Sequence, residues 1–157
     1  MKEKIGLDRI DLLSGTATAA VPHAAFIAQR LNLPMVYVRG SKKRHGKENK
    51  IEGIVKKGQR VVIIEDLIST GKSLIGNLKA IRKAGGKVKY AITTTTYLMK
   101  KAETNFKKNK IKVFTLTDFK KTIDVAVKKK YINQKDRDLV LQWGRNPKNW
   151  GKKFGFE

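Results

Sequence analysis

Two adjacent carboxylates, Glu65 and Asp66, close the apolar run Val61-Val62-Ile63-Ile64 and are followed by the turn Ser69-Thr70-Gly71-Lys72-Ser73. Carboxylates accept hydrogen bonds from vicinal hydroxyls. Backbone N–H groups and hydroxyls at the start of a helix hold a phosphate, assisted by the helix dipole. In this order the stretch fits a ribose diol at one end and its 5-phosphate at the other. It also contains Gly71-Lys72-Ser73, the ending of a nucleotide-binding P-loop. That loop needs an earlier glycine at the position occupied here by Asp66. A carboxylate there presents the wrong charge to a triphosphate and does not make the glycine turn. The P-loop reading fails on that residue.

The elements around this stretch read as alternating strands and helices. Strands are expected at 10–13, 35–38, 51–55, 60–64, 89–98 and 113–117, where short β-branched or apolar runs are bounded by turn residues. A small-residue turn is expected at Thr16 to Ala20. The helix after it has Pro22 in its first turn, buries Ala25, Ala28 and Leu31, and stops near Asn32 and Pro34. Further helices are expected at 73–84, with Leu74, Leu78 and Ile81 on its inner face, and at 100–108. Asp118 and Asn133 are expected to cap the last two, the second with Asp136 three residues on. His23 is read as a helix-packing residue. Residues 39–50 are polar, charged and glycine-containing, and read as a mobile loop. The pattern predicts one α/β domain over 1–157, with a central, mainly parallel sheet covered by helices on both faces. Ligands of such sheets bind beyond the carboxyl ends of the strands, where residues 65–73 fall.

Composition narrows the classes. The 157 residues contain no cysteine, which excludes disulfides and thiolate metal sites. No apolar run approaches the roughly 18 residues of a membrane span. The start, Met1-Lys2-Glu3-Lys4-Ile5-Gly6, lacks the apolar core of a signal peptide, so a cytoplasmic protein is expected. Thirty-six Lys and Arg against thirteen Asp and Glu give a net charge of +23, which attracts polyanions. The lysines are spread along the chain without an aromatic-rich nucleic-acid motif, so a small, highly phosphorylated ligand is favoured over nucleic acid.

"VVIIEDLISTGKS" (61–73) resembles the phosphoribosyl pyrophosphate signature of the type I phosphoribosyltransferases, in the wording of the orotate branch. "SGTATAAVPHAA" (14–25) resembles that family's pyrophosphate loop and the helix after it. "YVRGSKKRHGKENKIEG" (37–53) resembles its catalytic lid, and "TTTTYLMKKAETNF" and "LQWGRNPKNW" fit the bacterial-type branch. The resemblance implies transfer of the phosphoribosyl group from phosphoribosyl pyrophosphate to orotate, giving orotidine monophosphate and pyrophosphate. It implies Mg²⁺ held mainly by substrate, and a homodimer whose lids reach into the neighbouring site.

Roles carry over by position. Lys43 and His45 match catalytic residues of the lid, and Arg39 its pyrophosphate contact. Thr16, Ala17 and Thr18 match the pyrophosphate loop, and Glu65 and Asp66 the ribose pair. Ser69, Thr70, Gly71 and Ser73 match the 5-phosphate loop, where Lys72 replaces the family's second glycine. Family members also carry an N-terminal hood, which holds the base, before the strand expected here near Ile10. No residues for it, or for the helix preceding that strand, are seen in this chain. Phosphoribosyl pyrophosphate binding is therefore the better-marked half of the expectation. The alternative is a non-catalytic regulator that binds phosphoribosyl pyrophosphate, associated with nucleic acid.

Overall fold

The computed structural model describes residues 1–40, 50–145 and 147–155. The chain opens with α1 (Lys2–Ile5) and a 3-10 turn at Leu7–Arg9, then forms β1 (Leu12–Thr16), α2 (Ala20–Leu31), β2 (Met35–Val38) and β3 (Ile51–Glu52). The second part runs β4 (Arg60–Ile68), α3 (Lys72–Lys83), β5 (Lys87–Thr96), α4 (Lys100–Lys108) and β6 (Lys112–Thr115). Helices α5 (Phe119–Lys128), α6 (Gln134–Arg145) and α7 (Pro147–Phe154) follow.

Six strands form one sheet in the order β3-β2-β1-β4-β5-β6. Every neighbouring pair is parallel except β2 with β3. The expected class is confirmed, with helices on both faces. Leu13, Val62 and Ile64 pack with Ala24 and Ala28 of α2, and with Ile5 and Ile10, on one face. Leu12, Val61 and Ile63 pack with Leu74, Leu78 and Ile81 of α3 and Ala102 of α4 on the other. The alternation follows from the two-residue period of a strand, and burial on both faces explains the unbroken apolar run at 61–64.

Several boundaries differ from expectation. β1 runs on past the expected end at Leu13 through Ser14 and Gly15 and takes in Thr16, where the expected turn begins; all three are buried. These small residues serve close packing: a Cβ on Gly15 would lie 3.1 Å from Ala24 Cβ and 3.2 Å from the Ala20 carbonyl of α2. The buried stripe of α2 is Ala20, Ala24 and Ala28; Ala28 is as expected, while Ala25 and Leu31 are only half-buried. His23 is exposed on that helix, with Nδ1 3.0 Å from the Ala19 carbonyl, and does not pack into the core. β3 is shorter than the expected 51–55, β4 continues to Ile68, and α1 does precede the first strand. Both expected caps form: Lys121 N–H donates to Asp118 Oδ1 at 2.9 Å and Asp136 N–H to Asn133 Oδ1 at 2.8 Å.

Beyond the sheet, Tyr97, Phe119 and Trp143 form a three-ring cluster with centroids 5.3 to 5.5 Å apart. It fastens α5 and α6 to the end of β5. No helix among the described residues is long and apolar enough to cross a membrane.

Candidate active site

β1 is where the winding of the sheet reverses, with β2 on one side and β4 on the other. The crevice at the carboxyl ends of such strands is the expected ligand site. Four sequence candidates meet there. Thr16 ends β1, Arg39 follows β2, and Glu65 and Asp66 lie on β4 just past Ile64, the last residue paired with β1. Ala17 N–H donates to the Val38 carbonyl at 2.9 Å, which keeps the ends of β1 and β2 together. The peptide bond between Ala17 and Thr18 is cis.

The two carboxylates differ in setting. Glu65 is 4% exposed and shares the α3 side of β4 with Val61 and Ile63, while Asp66 is half-buried. Glu65 Oε1 accepts a 3.4 Å contact from Asp66 N–H, and Oε2 has no hydrogen-bond partner. Burial pushes its pKa up to about 8, and the neighbouring Asp66 carboxylate adds to the rise. The Thr16 hydroxyl acts the other way by favouring the ionised form. A buried acid with an open oxygen is an acceptor awaiting a donor.

The phosphate turn is built from two helices. Gly71 caps α3 in the left-handed region, φ 73°, and no side chain caps the N-terminus or puts an acid in the first turn. Ile75 N–H makes a first intrahelical bond to the Gly71 carbonyl, 3.0 Å, so the N–H groups before it point out of the helix. An uncapped N-terminus of this kind suits an anion. α4 supports the turn from behind. Asn105 Nδ2 donates to the Thr70 carbonyl at 2.9 Å, and a Cβ on Gly71 would meet Phe106 Cε1 at 2.7 Å. Lys72, the departure from the family pattern, begins the helix with its side chain exposed, so the backbone accepts it and the turn gains a charge. Ser69 and Thr70 are half-buried and Ser73 is exposed.

Arg39 Nε lies 3.1 Å from Glu52 Oε1, and Arg39 N–H donates to the Lys50 carbonyl at 2.9 Å. These contacts close the base of the expected lid. Lys43 and His45 lie outside the described residues. Sequence reasoning missed Asn77, Thr93 and Asn105. Thr93 lies beside Glu65 in register and donates to the Asp66 carbonyl at 3.1 Å. The partners that tie them to the site lie 27 to 63 residues away, and no local pattern announces such pairings. A cleft of about 960 Å³ opens one strand further along the same edge, between Tyr97, Leu98, Phe119 and Trp150.

A doubly covered sheet, an acidic strand end and an uncapped helix start at its switch point place the features of an α/β ligand site together at one end of the sheet. The chain belongs to the phosphoribosyl transferase domain family, whose profile matches residues 3–130. It is 43% identical over 151 residues to the orotate phosphoribosyltransferase of Listeria monocytogenes serotype 4b, covering 96% of this chain and 72% of that one. To the Coxiella burnetii orotate phosphoribosyltransferase it is 45% identical over 140 residues, covering 89% and 67%. Among solved structures, orotate phosphoribosyltransferase from Aeropyrum pernix superposes with a TM-score of 0.68 at 28% identity, covering 81% of this chain and 69% of that one. Leishmania donovani UMP synthase gives 0.69 at 27% identity, covering 85% and 29%.

Proposed function

We propose that the protein is an orotate phosphoribosyltransferase, a pentosyltransferase of pyrimidine biosynthesis. It moves the phosphoribosyl group of phosphoribosyl pyrophosphate to a nitrogen of orotate and releases pyrophosphate. The observation that carries this reading is the pairing, along one sheet edge, of a buried carboxylate with an open oxygen and an uncapped helix N-terminus. Those two features match the diol and the 5-phosphate of one sugar.

In the reaction, the bond from the anomeric carbon to pyrophosphate lengthens before the base nitrogen closes on it. Positive charge develops on the sugar and negative charge on the departing pyrophosphate. The N–H groups and hydroxyls of residues 69–73 hold the 5-phosphate, which fixes the ribose over the strand end. Glu65 and Asp66 accept from its hydroxyls, and the Asp66 carboxylate favours the cationic sugar. Thr16, Ala17 and Thr18 receive the pyrophosphate, with Arg39 beside them. Lys43 and His45 close over it, stabilising charge that is greatest at the transition state. Among the described residues no group of three potential ligands gathers to hold a metal. Glu65 and Asp66 would be the protein groups beside a Mg²⁺ brought in with the substrate, which would supply positive charge to the pyrophosphate. The reading includes a cytoplasmic homodimer whose lids serve the neighbouring sites.

The test is pyrophosphate release on mixing the protein with Mg²⁺, phosphoribosyl pyrophosphate and one base at a time. Release with orotate and not with adenine is expected. Release with adenine alone, or with no base, overturns the assignment.

A further inference from the structure

The net charge of +23 far exceeds what the transfer site uses, which is Arg39, Lys43 and Lys72. Lysines that lie apart in sequence meet at the other end of the sheet, where β4, β5 and β6 begin. Lys87 and Lys89 come from β5, Lys107 from α4, Lys110 from the turn after it and Lys112 from β6, and all five are exposed. Among the described residues none of the five forms an ion pair. Two clefts open between them. One, of about 590 Å³, is lined by Phe106 and Ile111 with Lys89, Lys107, Lys110 and Lys112 around them. The other, of about 460 Å³, lies between Tyr90, Arg60, Lys87 and Lys89. Among the described residues Glu103 is the one acid on their walls.

Lys89 joins the two clefts, and a bulge puts it there. Val61 pairs with Val88 and Val62 with Tyr90, so Lys89 has no partner on β4. The extra residue of a bulge leaves the strand's alternation and re-aims its side chain. Val88 packs on the α3 side and Tyr90 on the α2 side, and Lys89 stands exposed between them. The clefts thus form one basic groove across the starts of three strands, with neighbouring strands about 4.8 Å apart. We propose that this groove binds single-stranded nucleic acid through its phosphates. Lysines are point charges without a fixed fork for base edges, so the groove does not select a sequence. Each cleft has a half-buried ring on which a base can stack, Tyr90 in one and Phe106 in the other. A basic track with rings set along it fits a single strand better than an anionic membrane or an acidic peptide, neither of which has bases to stack. A duplex keeps its bases inside and gains nothing from the rings. The groove was hidden in the sequence because its lysines and rings come from three segments. It lies at the opposite end of the strands from Glu65 and the phosphate turn, so it is independent of the transfer reaction.

The test is fluorescence anisotropy of a short labelled oligothymidylate over a range of salt, with thermal unfolding of each variant. Five lysines on phosphates give a slope of log K against log salt of about −3.5. The triple variant Lys89→Gln, Lys110→Gln, Lys112→Gln should bind about 100-fold more weakly at about 0.1 M salt, with a slope of about −1.4. A second triple, Lys120→Gln, Lys148→Gln, Lys152→Gln, removes the same charge from exposed positions on α5 and α7. It should change affinity by less than about 3-fold, since distant charges are screened. Phe106 also backs Gly71, so Tyr90 is the ring to vary. Tyr90→Leu should weaken binding about 5-fold or more with the slope unchanged. A duplex of the same length should bind more weakly than the single strand. Equal loss in the two triple variants would mean that overall charge holds the strand, and overturns the groove. Parental affinity in a folded Tyr90→Leu, a duplex bound as tightly as the single strand, or polyglutamate displacing the probe as well as unlabelled strand does so too. A parent that binds no oligothymidylate at low salt also overturns it. Should Tyr90→Leu not fold, the preference for single strand over duplex decides the role of the rings.

Discussion

Replacing Glu65 with glutamine should change how the stability of the protein responds to pH. The side chain is 4% exposed, and its pKa is raised from 4.5 to about 8, chiefly by burial and then by Asp66. Between those values the unfolded chain has released this proton and the folded chain still holds it. The folded state then binds more protons, so stability falls as pH rises through this window. The loss begins near pH 4.5 and levels off above about 8. At about 1.4 kcal/mol per pH unit, the accumulated loss is on the order of 3–5 kcal/mol. Glutamine has the same shape and does not titrate. The assay is urea unfolding of both proteins at half-unit steps from pH 5 to 9. Other groups titrate alike in the two proteins, so the difference in unfolding free energy isolates position 65. That difference should move in favour of Glu65→Gln by roughly 1 kcal/mol per unit across the middle of the window. A difference that stays flat from pH 5 to 9 would refute a proton-holding acid at this position.

Three other substitutions probe the rest of the site. Asp66→Asn should weaken phosphoribosyl pyrophosphate binding by about 1.5–3 kcal/mol while leaving the fold intact, since it removes a charged acceptor from the diol; titration calorimetry showing parental affinity would remove that role. Gly71→Ala places a side chain at φ 73° and 2.7 Å from Phe106 Cε1, so it should lose at least about 1–2 kcal/mol of stability together with ribose 5-phosphate affinity. Adding Phe106→Leu should relieve the contact but not the backbone cost, and full recovery would show that the left-handed turn is dispensable. Lys43→Ala and His45→Ala should each lower kcat much more than ligand affinity, because the contacts assigned to them strengthen as pyrophosphate leaves; unchanged kcat would end the case for a catalytic lid.

The chemistry at 61–73 was legible because its order is local: apolar strand, acid pair, hydroxyl-rich turn, helix. Asp66 alone was enough to dismiss the P-loop. β2 and α4 fall on their expected bounds, since Met35–Val38 and Lys100–Lys108 are fenced by Pro34 and by loop residues. The caps at Asp118 and Asn133 were readable for the same reason. What escaped depends on distant partners. Ser14-Gly15-Thr16 has the composition of a turn, yet it lies buried between β2 and β4, where close approach of α2 demands small residues. The inner face of α2 was read correctly only at Ala28, because its alanines recur on several faces and only packing against β1 selects Ala20 and Ala24 beside it. Asn77 carries no local signal, and its hydrogen bonds appear only once Ser14 and Thr16 stand opposite it.

The most direct measurement is a difference electron-density map from crystals of this protein soaked in ribose 5-phosphate. The phosphate is expected on the backbone N–H groups of residues 71–73, with the two ring hydroxyls within hydrogen-bond distance of Glu65 and Asp66. A phosphate bound elsewhere, such as among Lys89, Lys107 and Lys112, with the strand end empty, would contradict it.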